Sequence, residues 1–397
     1  MKKMSYKAIQ VGLDIFEKNW PKKLKGSRIG LLVHPASVNK RLEHAVNLFA
    51  KSRKLELKTL FGPQHGIRGE MQDNMIEWEG FRDSYTGLPV FSLYGHTRKP
   101  EPEMLKDIDV MVTDIQDTGS RYYTFIWTME LCMQACQEIN KSIVILDRPN
   151  PIGGYITEGP VLEMAYASFV GRRLLPIRHG MTIGEIANYL RNEFYPSLDF
   201  HVIPMQGWRR KIWFNETGLP WVMPSPNIPT PDTATVYPGM CLLEGTDLSE
   251  GRGTTRPFEI FGAPFIEPEI LVKQLKEFKL PGVVFRPMYF QPTFQKYAGK
   301  FCGGAQIHIA NRNRFKPFKI GVAILKAVHD LYPAHFAWRK PPYEYEKEKM
   351  PIDILSGTDK LRKDIENGED LNKMEEWWKE QCDEFNKKVR KKFLLYK

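Results

Sequence analysis

The sequence predicts an α/β fold, with an open, doubly wound parallel sheet in the first unit and a smaller α+β unit after it. Three observations carry this expectation. Short apolar runs alternate with helical stretches as far as Asn150, which is the rhythm of repeated βαβ units. Clusters of polar residues follow the ends of those runs, and ligands of open α/β sheets sit beyond the carboxyl ends of the strands. From Gly207 to Pro264 the chain turns dense in Pro, Gly, Thr and Trp before strand and helix signals return.

The elements follow in order. Arg28–Val33 (RIGLLV) is a short apolar run of the buried-strand type and leads into the turn-rich HPASVN, with His34 at the strand end. Leu42–Arg53 has helical spacing. Leu55–Phe61 (LELKTLF) predicts the next strand, which opens into GPQHGIRGE. Val90–Tyr94 and Ile108–Ile115 predict two more strands, Tyr122–Ile139 a long helix, and Ser142–Leu146 a strand ending in DRPNPIGG. The stretch Gly207 to Pro264 predicts a long irregular segment, a feature that is usually functional in a compact protein. Val283–Phe285 and Ala305–Ile309 read as strands and Phe318–Leu331 as a helix. The charged tail Asp359–Lys397 reads as helical, anchored by Trp377 and Trp378. The division is expected near Pro151–Pro176, giving units 1–165 and 166–397.

Composition bounds the function. A chain of 397 residues exceeds one typical domain, and 42% hydrophobic with 12% aromatic residues excludes a disordered chain. The net charge of +10 gathers at the ends, at Lys2, Lys3, Lys22, Lys23 and Lys25 and again at Lys387, Lys388, Arg390, Lys391 and Lys392. This pattern reads first as solvated surface and second as attraction to an anionic polymer. No basic run is interleaved with aromatics, so no nucleic-acid partner is expected. No apolar run approaches the roughly 20 residues of a membrane span. With no signal-peptide stretch either, the expected location is the cytoplasm, or the chain is the mature form of an exported protein. The five cysteines form no CxxC pair, and Cys132 and Cys136 are expected as buried thiols. No GxGxxG follows the first strand, so no dinucleotide is inferred. His65, Asp114 and His179 lack ligand spacing, so no metal or other cofactor is expected.

Five loops carry candidate chemistry. GPQHGIRGE sets Gln64, His65, Arg68 and Glu70 among three glycines, with His65 as a proton carrier and Arg68 as an anion clamp. DIQDTGSRYYTF places Asp114, Gln116, Asp117, Arg121 and Tyr122 at a strand-to-helix junction, where Asp117 or Ser120 could instead cap the helix. LDRPNPIGG holds Asp147, Arg148 and Asn150 on a turn stiffened by proline, and Glu158 in TEGPVL is an acid/base candidate. In PIRHGMTIGEIA, Thr182 and Glu185 form a capping box, leaving Arg178 and His179 placed to face a ligand. LLEGTDLSEGRGTTRPFE brings Glu244, Asp247, Glu250, Arg252, Arg256 and Glu259 into one loop, where glycines interrupt every possible helix. Carboxylates beside arginine there suit general acid/base work. Without a Gly-x-Ser-x-Gly elbow, Walker loop, HExxH or EF-hand, a carboxylate-based hydrolase remains.

These motifs stand in order with FGPQHGIRG, TGLPVFSLYG, PSPNIPT, YPG and FGAP, and the chain so resembles the bacterial exo-β-N-acetylmuramidases. The resemblance implies a Rossmann-like first domain and a smaller second one, with an active site between them. It also implies release of terminal N-acetylmuramic acid from peptidoglycan-derived saccharides. The lactyl carboxylate of that sugar needs a cation, which Arg68, Arg178, Arg252 or Arg256 could supply. Glycoside hydrolysis uses two carboxyl groups. Glu158 and Glu250 are the first candidates, Glu244 and Asp147 stand in reserve, and His65 orients or relays protons. Gln64, Asp147, Arg148, Asn150, Arg178, His179 and Asn227 join the arginines as substrate-binding candidates. Two positions depart from the family pattern: Gln64 replaces the usual glutamate of GPEHG, and His34 in HPASV replaces the usual asparagine of NPTGV. Glutamine cannot ionise, so competence depends on another carboxyl group. A binding protein with reduced catalysis and a glycosidase for another amino sugar are the alternatives.

Overall fold

A computed structural model describes residues 9–19, 24–69, 71 and 75–397. Glu70 lies outside the described residues, as do the expected basic residues Lys2, Lys3, Lys22 and Lys23. Twelve strands are described: β1 Arg28–Val33, β2 Glu56–Gly62, β3 Phe81–Arg82, β4 Pro89–Ser92, β5 Val110–Asp114, β6 Ser142–Leu146, β7 Glu158–Val161, β8 Pro176–Arg178, β9 Phe200–Ile203, β10 Ile260–Ala263, β11 Val283–Phe290 and β12 Cys302–Ile309. Seven of them form one sheet in the order β3-β4-β2-β1-β5-β6-β9. Every neighbouring pair is parallel except the edge pair β3–β4.

The chain winds outward from β1 in both directions. Their alternating side chains explain why these runs form strands with both faces covered. Ile29, Leu31 and Val33 enter one core with the helices Gly12–Lys18 and Ala45–Ala50. Leu32, Met111, Ile143 and Ile145 enter the other with the helices Phe125–Glu138 and Ile183–Phe194. The reversal of winding lies between β1 and β5, which opens a crevice beyond their carboxyl ends.

The second unit has the three-stranded antiparallel sheet β10-β12-β11, covered by the helix Pro268–Glu277, on which the helix Pro317–Leu331 packs, and the hairpin β7–β8 lies against the helix Leu371–Phe385. Two corrections arise here. The first sheet takes its last strand from β9, well past residue 165, so the layers do not change where the division was expected. The segment expected to be irregular contains the helix Pro231–Met240, capped by Thr230, whose side chain accepts from the Thr233 amide. Two prolines, two threonines and a glycine hide that helix from propensity, and burial overrides them. It packs so closely on Pro317–Leu331 that a Cβ on Gly239 would lie 1.9 Å from the Pro317 carbonyl oxygen. The helix Phe125–Glu138 is not capped by Asp117 or Ser120; Thr124 occupies its N-cap without a side-chain bond. The capping box at Thr182 and Glu185 forms as expected, as do the buried thiols of Cys132 and Cys136.

Arg121 joins the layers. Its fully buried guanidinium donates to the carbonyls of Pro160, Leu175, Leu355 and Ser356 at 2.8–2.9 Å. Burial pushes its pKa down to about 10. Replacing Arg121 with methionine leaves four carbonyls without their donor. It should lower stability by about 3 kcal/mol or more, read as a lower denaturation midpoint with the slope unchanged.

Candidate active site

The site is built outward from the strand ends. At the end of β1, His34 is fully buried, and the Gln116 amide beyond β5 donates to its Nε2 at 2.8 Å. Nε2 therefore carries no proton, and Nδ1 donates to the Pro224 carbonyl at 3.2 Å. Burial first, and Arg148 second, hold its pKa well below the usual histidine range. A neutral imidazole thus ties two strand ends to the Pro224–Asn227 segment. Beyond β2 the chain turns sharply, with His65 and Gly66 both at positive φ. The His65 Nδ1 lies 2.6 Å from the Met71 carbonyl; a carbonyl only accepts, so Nδ1 carries a proton and donates. Gln64 accepts from the Thr124 hydroxyl at 2.9 Å.

Gln64 and His65 line a cavity between the two units. Gln64, His65, Asn227, Glu244 and Arg252 of the expected set share it. Glu244 takes a 2.9 Å ion pair from Arg252 and a 2.7 Å hydrogen bond from the Tyr343 hydroxyl. Arg252 also reaches Glu250 at 3.2 Å and lies over the Phe258 ring. Tyr123, Tyr237, Tyr343 and Glu344 complete the walls. Burial pushes the Glu344 carboxyl up to about 7, against the Tyr94 hydroxyl that donates to it at 3.0 Å. The reading of the loops missed Tyr343 and Glu344; the signal was present in PPYEYE, an acid between two tyrosines after two prolines.

The other expected residues serve elsewhere. Glu250 is buried behind the cavity wall; burial raises its pKa, but Lys296 at 3.0 Å and Arg252 outweigh that and hold it below the usual range. Glu158 lies inside the hairpin, where Oε1 accepts from the Lys319 amide at 2.9 Å and burial pushes the carboxyl up to about 7. Asp147 accepts from Thr182, the Gly184 amide and Tyr396, and so anchors the start of the helix Ile183–Phe194. Arg148 pairs with Asp114, and Asn150 bonds to the Met181 carbonyl and the Ile152 amide. Arg178 donates to the Ile152 carbonyl, and His179 sits 3.0 Å from Asp117. Arg68 pairs with Asp83 and Arg256 with Glu259, both outside the cavity. In each case a loop residue that looks ligand-directed in sequence has at least one neighbour that only folding supplies. Among the described residues no group of three or more His, Cys, Asp or Glu side chains is arranged to hold a metal ion, and no helix is long and apolar enough to cross a membrane.

Fold and site together define a two-domain α/β protein with a carboxylate-bearing cleft beyond the ends of a doubly wound sheet. Comparison with known proteins gives the family. Residues 29–232 match the family described as exo-beta-N-acetylmuramidase NamZ, N-terminal, and residues 235–396 match its C-terminal counterpart. The chain belongs to the exo-β-N-acetylmuramidase NamZ family. It is 44% identical over 388 residues to the peptidoglycan beta-N-acetylmuramidase NamZ of Bacillus subtilis (strain 168), covering 98% of this chain and 91% of that protein. Crystal structures of two DUF1343 family proteins from Bacteroides fragilis match it as well. One has a TM-score of 0.88 at 37% identity and the other 0.76 at 30%, each over 98% of this chain and 99% of the other.

His34→Ala removes the acceptor of the Gln116 amide and the donor to Pro224. The expected loss is about 2 kcal/mol of stability, from two buried backbone groups left unpaired. A thermal melt that matches wild type would show that the imidazole does not join these segments.

Proposed function

We propose that the chain is an exo-acting glycoside hydrolase that releases terminal N-acetylmuramic acid from peptidoglycan fragments. The observation that carries this reading is the composition of the cavity, in which Glu244 is held by Arg252 and Tyr343 among amides and tyrosine rings. Tyrosine rings suit the apolar faces of a sugar ring. The amides of Gln64 and Asn227 suit hydroxyl and acetamido groups, and an arginine in the wall suits the lactyl carboxylate. The 44% identity to the NamZ protein of Bacillus subtilis supports the same substrate class.

The chemistry follows from the charges. Glycosidic cleavage passes through an oxocarbenium-like state, and a carboxylate beside the anomeric carbon stabilises the positive charge as it develops. Glu244 is the candidate for that role, because Arg252 and Tyr343 fix its position. His65, with Nδ1 committed to the Met71 carbonyl, stands in the cavity wall as a polar group facing the substrate. Glu250 acts through Arg252, as a positioning residue, and Glu158 and Asp147 support the frame.

The second reading, binding without turnover, is favoured by one observation: the amide of Gln64, which cannot ionise, lies in the cavity wall. An aryl N-acetylmuramide and a muramyl-terminated disaccharide separate the two readings. Release of N-acetylmuramic acid is expected, with Glu244→Gln at least about 100-fold slower and Glu158→Gln close to wild type. Calorimetric binding of the disaccharide with no release by the wild-type protein would establish the second reading instead.

A further inference from the structure

The cavity holds a second carboxyl group on a segment far along the chain from the strand ends. Pro341–Glu346 runs from the second unit across to the first. Its turn is closed by Tyr343 and Glu346, whose amides each donate to the other's carbonyl at 2.9 Å. Tyr343 reaches Glu244, and Glu344 accepts from the Tyr94 hydroxyl at the end of β4. Tyr345 lies under the Arg98 guanidinium at 3.9 Å, and the same guanidinium lies 4.6 Å from the Tyr94 ring. Glu344 and Tyr345 have φ of 44° and 69°. Two consecutive side-chain-bearing residues in the left-handed region are costly, and such strain persists only where the surroundings impose it, commonly at active sites. Here it turns the Glu344 carboxyl into the cavity beside Gln64 and Glu244, with the residue only 5% exposed.

We propose that Glu344 is the proton donor of the glycosidic cleavage, supplying the acid function that glutamine at position 64 lacks. The inference rests on the glycosidase reading above and adds its second carboxyl group. In the step itself, the Glu344 proton passes to the glycosidic oxygen while the bond from that oxygen to the anomeric carbon breaks. The bonding pair stays on the oxygen, the leaving saccharide departs as an alcohol, and Glu344 becomes a carboxylate. Water adds at the anomeric carbon, and the proton it releases restores the acid. One water is consumed and nothing is oxidised or reduced.

The surroundings suit a donor that must hold its proton near neutrality. Burial and the neighbouring Glu244 push the Glu344 carboxyl up, and Tyr94, Arg98 and Arg252 pull against them to leave it at about 7. Tyr343 and Tyr345 beside it, and His65, Tyr122, Tyr123, Tyr237 and Cys241 in the same wall, are further titratable groups near it. The sign is fixed by the role. An acid acts protonated, so activity falls as pH rises through that region. Glu244 is ion-paired with Arg252, whereas Glu344 is held by a neutral hydroxyl, so the two carboxyls of the cavity have different partners.

Leaving-group dependence tests the assignment. With Glu344→Gln, a muramyl-terminated disaccharide should be cleaved at least about 100-fold more slowly. A dinitrophenyl N-acetylmuramide, whose leaving group needs no proton, should be cleaved at close to the wild-type rate. The basic limb of the kcat/KM profile should vanish as well. Tyr94→Phe removes a hydrogen bond that favours the charged carboxylate, so in that variant the basic limb should move to higher pH. An equal loss on both substrates by folded Glu344→Gln overturns the proposal. If Glu344→Gln does not fold, an unmoved limb in Tyr94→Phe overturns it. A wild-type protein that cleaves neither substrate defeats the glycosidase reading, and the assignment falls with it.

Discussion

A carboxylate taken out of water must find a cation or several donors, and the cleft is organised around Glu244 meeting that need through Arg252. Arg252 then requires its own balance, which Glu250 provides, and Glu250 in turn draws in Lys296. Lys296 spends its remaining donors on the Leu243 and Leu248 carbonyls, which lock the same loop onto itself. The cavity wall is thus a chain of charges in which each member holds the next. Removing an internal member leaves a buried charge unmatched, so the wall is rigid as a unit. That rigidity suits a group that must not move during bond cleavage.

The facing wall is held by different means. There Gln64 accepts from the Thr124 hydroxyl and His65 donates to the Met71 carbonyl, while the buried His34 bonds to the Gln116 amide and the Pro224 carbonyl. The sheet supplies the frame. Strands β1 and β5 diverge in winding direction, and their ends leave backbone groups that His34 satisfies. Arg121 closes the rear of the assembly through four carbonyls drawn from three different parts of the chain. Stability and site geometry therefore share residues at the junction of the two units.

Much of the first unit was legible. The unbroken apolar runs of Arg28–Val33 and Ser142–Leu146, the helix beginning at the Thr182 capping box, and the polar loops at strand ends are local signals, and local physics expresses them. The helix Pro231–Met240 was not legible, because its residues are poor helix formers and only packing against Pro317–Leu331 stabilises it. Strand β9 was missed for a related reason. It is half-buried at the edge of the sheet, and its sequence FHVI carries little alternation.

The candidate site divides in the same way. By itself the sequence determined the family, the loops that carry chemistry, and the glutamine at position 64, which cannot ionise. Tertiary structure decided which acids share a cavity. Glu158 and Glu250 read as strong candidates in sequence, yet one is folded against the start of the helix Pro317–Leu331 and the other into an ion-pair chain. Glu344 drew no notice in sequence, yet it lines the same cavity as Glu244, a residue far from it along the chain. The physical reason is that a carboxylate's role depends on the groups folded against it. Those partners come from distant segments, and local pattern carries no record of them.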